Sequence, residues 1–502
     1  MWAAPASTAT VPPIPGLPDS VLPIMNAAPF AHGTWAVSVT DATTGASLVD
    51  YNSDTMYEPA SVTKTLSSAG AWVQFGPDSR IVTPVVRKGE VSRGVLHGDL
   101  VLIAKGDITM GGQTAPDGSV IFADLDHNDA NAVPGATLAK NNPLAGLDAL
   151  ARQVRLSGIR TVSGDVVIDD RLFITQDLGD NGPVSPIDIN HNLIDVLVTP
   201  TSAGNAASMK TRALVAPWTV TNTVRTVRAG GPSVVNISAV GPRITVDGTI
   251  AADAAPILRV WQVADPAAFA RAHFIEALGR AGVKVATDVA GPNPVVRLGT
   301  RASVNALPVV ARLRSLPFAQ QATYVLKVSY NRGAQTFICL LAVSAGKRDC
   351  DAGFPVLATK LAPLGVDTLS ISQIDGSGLP GNFATPSAIV DLMHGFAQRP
   401  DWPRWRAAMP IMGVDGSVAM VQKGSPAAGH VFAKTGTLVD GDLLNGRLRL
   451  ATKALGGYIQ AKSGRWLAIA IFANQAVYPD IYGLFAANED LGKIATAIWE
   501  SY

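Results

Sequence analysis

The sequence predicts an α+β protein: an antiparallel sheet flanked by helices, built from both ends of the chain, with smaller β-rich modules inserted between them. Three observations predict it. Strand-like stretches open and close the chain, a helical pattern follows the first hairpin, and the long middle consists of short valine-containing strands separated by glycine and proline.

In order along the chain, "GTWAVSVTDATTGASLVDYN" within residues 30–60 alternates apolar positions on both sides of "ATTGA", the pattern of a hairpin. From Ser61 to about Phe75, Leu66, Ala69 and Val73 fall at helical spacing, and Gly76-Pro77 supply a stop. Residues 80–300 contain "GDLVLIAKGD", "VSGDVVIDD", "RTVRAGGPSVVNIS" and "PRITVDGTI" as strands. Helical patterns interrupt them at 143–158 and 266–282. The chain closes on three strands, "HVFAKTGTL", "LGGYIQAKSG" and "RWLAIAIFANQ", and a helix from about Ala486 to Trp499. The first hairpin is expected to join these last strands in one sheet.

With 502 residues, two or three domains are expected. Hydrophobic residues make up 47% and charged ones 16%, which allows large cores and argues against global disorder. The 40 basic and 39 acidic side chains leave a net charge of +1 with no basic stripe, which makes nucleic acid and anionic membrane surfaces poor candidates as partners. The longest apolar runs, such as "WLAIAIFA" and "FICLLAV", are far short of the ~20 residues that cross a bilayer. The start, "MWAAPASTATVPPIPGLP", reads as the small-residue, proline-rich tail behind a signal-peptide cleavage site. Cys339 and Cys350 fit either one disulfide or a reduced pair. The loop "FADLDHNDANAVPGA" at 122–136 fails the calcium-loop pattern at Asp129 and Gly135 and reads as a polar surface loop. His32, His97 and His430 have no partners at zinc-ligand spacing; all seven histidines are read as structural or surface, and no metal is expected.

Chemistry is carried by three short patterns. In "EPASVTKTL", Ser61 and Lys64 stand three apart at a helix start, so the lysine amine reaches the serine hydroxyl while unpaired backbone N–H groups favour an oxyanion. A lysine base of this kind needs burial and neighbouring positive charge. "KVSYNRGAQ" supplies Lys327, Ser329 and Asn331, polar groups able to relay protons and hold a substrate. "VFAKTGTL" places Lys434, Thr435 and Gly436 on a strand. There the lysine adds positive field, glycine allows close approach of a ligand, and the Thr437 N–H offers a second oxyanion donor. Each pattern also occurs elsewhere, at Ser344–Lys347, Ser303–Asn305 and Lys462–Gly464, in loop, connector and turn contexts. Only the ordered set of three is specific.

That ordered set is the one found in penicillin-binding proteins and class A β-lactamases. The 264 residues between Lys64 and Ser329 are too many for a β-lactamase. The chain instead resembles the class C low-molecular-mass penicillin-binding proteins, the serine-type D-Ala-D-Ala carboxypeptidase/endopeptidase family. "GDLVLIAKGDITM", "VSGDVVIDDRLF", "IDGSGLPGNFATP" and "KTGTL" extend the likeness over nearly the whole chain. The resemblance implies a transpeptidase-like (β-lactamase-like) catalytic domain of residues 1–79 and 299–502. It also implies an inserted domain II of 80–105 and 189–298, and an inserted domain III of 106–188. It implies Ser61 as acylated nucleophile and Lys64 as its proton acceptor. Ser329 would be the proton shuttle, Asn331 the holder of the substrate amide, and Lys434 an electrostatic contributor. Thr435, Gly436, Thr437 and Tyr330 would lie against the substrate. It further implies peptidoglycan peptides as substrate, β-lactams as covalent inhibitors, action outside the cytoplasm after export by a cleaved signal peptide, and no cofactor.

The chain departs from the family pattern in three places. Tyr330 fills the middle of Ser-x-Asn, Gln335 stands where an acidic residue is common, and 439–455 reads as a longer link after "KTGTL" that would hang beside the site. Two other classes remain in view at this point: an esterase, amidase or β-lactam hydrolase on the same scaffold, and a cell-wall scaffold with little turnover.

Overall fold

The computed structural model describes residues 10–502; the first half of the expected cleavage-site tail, residues 1–9, lies outside the described residues. The chain folds into two units. One takes the residues up to Pro77, Ala322–Ala345 and Asp351–Tyr502; the other takes Asp78–Gln321 and Gly346–Cys350.

The first unit is organised by an antiparallel sheet of five strands: β1 (Thr34–Asp41), β2 (Ser47–Tyr51), β3 (Val431–Asp442), β4 (Arg447–Gln460) and β5 (Trp466–Tyr478), in the order β2-β1-β5-β4-β3. The first hairpin therefore joins the last strand, as expected, with Thr34 opposite Asn474 and Asp41 opposite Leu467. The centre of β5, Leu467 to Ala473, is apolar on both faces and wholly buried, which makes it an interior strand.

Six helices matter here: α1 (Thr63–Phe75), α2 (Phe318–Lys327, in this unit from Ala322 on), α3 (Asn331–Ser344), α4 (Gly353–Leu361), α5 (Pro386–Ala397) and α6 (Gly483–Ser501). Leu491, Ile494 and Ile498 of α6 share a core with Val37, Val39, Leu455, Ile459, Ile469 and Ile471 of the sheet. Helix α5 packs on β1, β4 and β5, while α1 is enclosed by α3 and α4 and is buried on every face from Thr63 to Trp72. A helix buried all round is placed by its neighbours rather than by one apolar stripe.

The segment 439–455 is not a link. It prolongs β3 and β4 into a hairpin that turns at 443–446, with Asp440 opposite Arg449 and Asp442 opposite Arg447. Both cross-strand pairs are ion pairs, at 2.5 and 2.8 Å, and opposite charges facing across a ladder favour continued pairing over loop.

The second unit holds three larger sheets and the two-stranded pair Gln176–Asp177 with Pro183–Val184. The largest has six strands and is led by the hairpin Val82–Ser92/Val95–Ile103. A three-stranded sheet contains Leu193–Thr199, and a four-stranded sheet contains Arg243–Ala251. The two predicted helices form as Ala145–Leu156 and Pro266–Arg280; the Asp265 carboxylate accepts from the Ala268 N–H at 2.9 Å to cap the second. Residues 299–321, assigned from the resemblance to the catalytic part, lie in this unit. The reason is visible in the ladder: Val309–Arg314 pairs antiparallel with Val82–Ser92. Cys339 and Cys350 are disulfide-bonded.

Candidate active site

Ser61 sits in a single 3-10 turn, Ala60–Val62, that runs directly into α1. Ala60 takes a left-handed φ of 45°, so the chain turns sharply just before the serine. One turn on, the Lys64 side chain is fully buried, and its Nζ lies 2.6 Å from Ser61 Oγ. The same amine donates to the Ser377 carbonyl at 2.8 Å. The pair expected from sequence is thus assembled, with a third group fixing the amine.

The peptide that supplies the third group is held firmly. Both N–H and Oγ–H of Ser377 donate to Asp375 at 2.6 Å, and the N–H groups of Gly378 and Leu379 donate to the same carboxylate at 2.9 and 3.1 Å. Gln335, buried on α3, accepts from the Gly376 N–H at 2.6 Å, and Ser67 Oγ donates to the Gly376 carbonyl at 2.7 Å. Gly378 has φ +90°, and a Cβ there would stand 1.8 Å from the Ala60 carbonyl oxygen, so the turn abuts the backbone that delivers Ser61.

Ser329 occupies the turn between α2 and α3 with φ +60°, another left-handed non-glycine residue, and Asn331 opens α3; both are half-buried. Tyr330 is 1% exposed. Its ring stands edge-on to Tyr324 with centroids 5.8 Å apart, and Gly333 leaves the space it fills. The expected substrate contact from the Tyr330 side chain is therefore corrected to a packing role: an aromatic ring finds more apolar surface in this core than at a cleft edge. Lys327, at the end of α2, pairs with Asp415 at 2.6 Å, and Asp415 also accepts from the Ile411 N–H at 2.9 Å. Two residues on, Ser417 Oγ lies 2.8 Å from Thr435 Oγ1. This chain of contacts joins the Ser-Tyr-Asn turn to β3.

On β3, the edge strand of the sheet, Lys434 is fully buried and donates to the Thr435 carbonyl at 2.7 Å. A Cβ on Gly436 would come within 2.2 Å of the Pro59 carbonyl oxygen, so glycine is what lets the strand lie against the turn carrying Ser61. Thr437 faces Lys453 across the ladder and accepts from its Nζ at 2.6 Å. Burial lowers the Lys453 pKa from its ordinary 10.5 to about 7.

The profile of the D-Ala-D-Ala carboxypeptidase 3 (S13) family matches residues 24–483. The chain belongs to this family. Among its relatives, it is 29% identical to a D-alanyl-D-alanine carboxypeptidase of Actinomadura sp. (strain R39), over 87% of this chain and 77% of that one. It is 24% identical to carboxypeptidase DacB of Mycolicibacterium smegmatis over 87% and 76%. Among solved structures, penicillin-binding protein 4 (dacB) from Haemophilus influenzae superposes with a TM-score of 0.67 at 18% identity, over 95% of this chain and 97% of that one. That likeness establishes the fold.

Three residues around this candidate site were not foreseen in sequence. Asp415 and Ser417 stand in "GVDGSVAM", the same Asp-Gly-Ser as at 375–377, and that repetition was the available signal. Lys453 stands alone as a charge in the apolar strand "ATKALGGYI", which marks a lysine that burial has captured.

Proposed function

We propose that the protein is a serine-type D-Ala-D-Ala carboxypeptidase and endopeptidase of peptidoglycan stem peptides, working through an acyl-enzyme on Ser61. The observation that carries this reading is the 2.6 Å contact between Lys64 Nζ and Ser61 Oγ, with the amine oriented by the Ser377 carbonyl. Because that carbonyl takes up one N–H, the amine in its neutral form can turn its lone pair to the serine hydroxyl.

In the first half-reaction Ser61 Oγ attacks the carbonyl carbon between the two D-alanines, and its proton passes to Lys64. Ser329 hands its proton to the leaving amine and takes the one held by Lys64 in return, the C–N bond breaks, and D-alanine departs. Water then attacks the Ser61 ester, releasing the shortened peptide and restoring the hydroxyl. Asn331 holds the substrate amide; Lys434 adds positive charge beneath Thr435, Gly436 and Thr437, which lie along the substrate carboxylate. β3 is an edge strand whose Ala433 N–H is taken by the Pro410 carbonyl; the outward N–H of Thr437, farther along the same edge, is offered with that of Ser61 to a developing oxyanion. β-Lactams, which mimic the D-Ala-D-Ala unit, acylate the same serine. The disulfide supports action outside the reducing cytoplasm.

Mass spectrometry of the intact protein after incubation with a penicillin tests the reading. Wild type gains the mass of one penicillin and Ser61→Ala gains none. An adduct that persists in Ser61→Ala moves the nucleophile elsewhere and sinks the assignment.

A further inference from the structure

We propose that the second unit carries a site for a divalent transition-metal ion, zinc by its donor set, formed by His127, His191 and Asp126. The three side chains stand 2%, 1% and 2% exposed, and one ligand atom from each lies within 4.8 Å of the others. His127 belongs to the short turn His127–Asp129 inside the long loop that was read as surface; His191 is the middle of the turn Asn190–Asn192 that leads into Leu193–Thr199. The 63 residues between the two histidines hide their proximity from any spacing rule.

The inner nitrogens face each other. His127 Nε2 and His191 Nδ1 are 2.6 Å apart, and Asp126 Oδ1 is 3.5 Å from His127 Nε2. At this separation the two ring nitrogens share a proton, and a metal ion takes the proton's place once the rings turn slightly apart.

The outer nitrogens are each anchored, which decides what the inner ones are. His127 Nδ1 lies 2.6 Å from Asp195 Oδ1. Asp195 is itself fixed by Arg212 Nε at 2.6 Å and Asn190 Nδ2 at 3.0 Å. A carboxylate there accepts from Nδ1–H, which leaves the Nε2 lone pair pointing inward, the carboxylate–histidine–metal arrangement. His191 Nε2 lies 3.0 Å from the Gln113 side-chain nitrogen, while the buried Gln113 oxygen has no hydrogen-bond partner. Turning that amide over pairs its oxygen with His191 Nε2–H, satisfies the orphaned atom, and leaves the His191 Nδ1 lone pair inward as well.

Two imidazoles and a carboxylate, all inward, suit zinc better than calcium or magnesium, which take oxygen ligands. Zinc–ligand bonds of about 2.0–2.2 Å need the two nitrogens to separate by less than an ångström, a small side-chain rotation. Asn190, His191 and Asn192 all hold left-handed φ values, 51°, 55° and 53°, a run that L-residues keep only when their surroundings impose it. The bound ion would tie the loop at 122–136 to the strand Leu193–Thr199.

The test strips full-length protein with dipicolinate and titrates it with zinc against a chromophoric chelator, then with cobalt(II) read by its visible absorption. The expected result is one zinc per chain, a cobalt d–d band, and a rise in unfolding temperature on zinc addition. His127→Ala and His191→Ala lose all three while still taking up penicillin at Ser61; Asp126→Asn binds 10–100-fold more weakly. Equal stoichiometry in the histidine variants overturns the proposal. So does a wild type without saturable zinc binding, which would leave a proton shared by the two rings. If the histidine variants fail to fold, the wild-type cobalt spectrum decides, and absence of the band refutes the site.

Discussion

Lys453→Met is the most informative single change near the proposed active site. The substitution keeps an unbranched side chain of similar length and removes the amine. In the folded protein burial holds the Lys453 pKa at about 7 against an ordinary 10.5. At about 1.36 kcal/mol per pKa unit, that gap is worth roughly 4–5 kcal/mol, to be taken as an order of magnitude. Between pH 7 and 10.5 the unfolded chain binds a proton that the folded chain does not, so this lysine makes stability rise with pH across that window. Below pH 7 its full penalty is present. The methionine variant escapes it but loses the 2.6 Å bond to Thr437, worth about 1–3 kcal/mol. The variant should therefore be more stable than wild type by about 2–3 kcal/mol at pH 6–7 and lose that advantage as pH approaches 10. Urea midpoints followed by tryptophan fluorescence at pH 6, 7, 8 and 9 measure the difference. Parallel profiles for the two proteins would refute the reasoning, because they would mean that Lys453 titrates alike in both states. The same variant frees the Thr437 hydroxyl, so KM for a carboxylate-bearing peptide should rise several-fold with a smaller change in kcat.

The other predictions concern the supports of Ser61. Gln335→Leu removes the acceptor of the Gly376 N–H; it should cost about 1–3 kcal/mol and slow penicillin acylation, with Gln335→Glu restoring most of the rate. Equal acylation in Gln335→Leu would detach the Asp375–Gly378 turn from the placement of Lys64. Gly436→Ala puts a Cβ 2.2 Å from the Pro59 oxygen and should lower the acylation rate at least tenfold, read by stopped-flow with a chromogenic β-lactam. Reducing the Cys339–Cys350 bond should cost about 2–3 kcal/mol, as expected for a loop of this length, and lower the unfolding temperature; an unchanged temperature would show that the closed loop contributes nothing.

How much of this was legible in the sequence follows from which interactions are local. The Ser61–Lys64 contact is written in a three-residue spacing, and the hairpin strands and helices of the middle unit follow from period and punctuation, so these could be read directly. The joining of the first hairpin to the last strand was legible for a different reason. A run as apolar as "WLAIAIFANQ" needs a strand on each side, and in a meander of the three closing strands the last one has only a single neighbour. The hairpin beyond "KTGTL" was misread as a link because its pairing rests on Asp440 and Asp442 meeting Arg449 and Arg447, charges that look like loop until the register is known. Tyr330 failed in the opposite way: its place in a motif suggested substrate, while the bulk of its ring sends it to the core beside Tyr324. The residues least visible were those that act through partners distant in the chain, Ser377 on Lys64, Asp415 on Lys327, Asp195 on His127. In each case a buried cationic or ionisable nitrogen is met by an oxygen from a separate segment. Burial imposes that pairing, since an unmatched charge in the interior costs several kcal/mol. The general rule is that a motif names the group that needs a partner, and only the fold names the partner. A search for such sites should therefore begin from buried lysines and histidines and ask which carboxylate or carbonyl the topology brings to each.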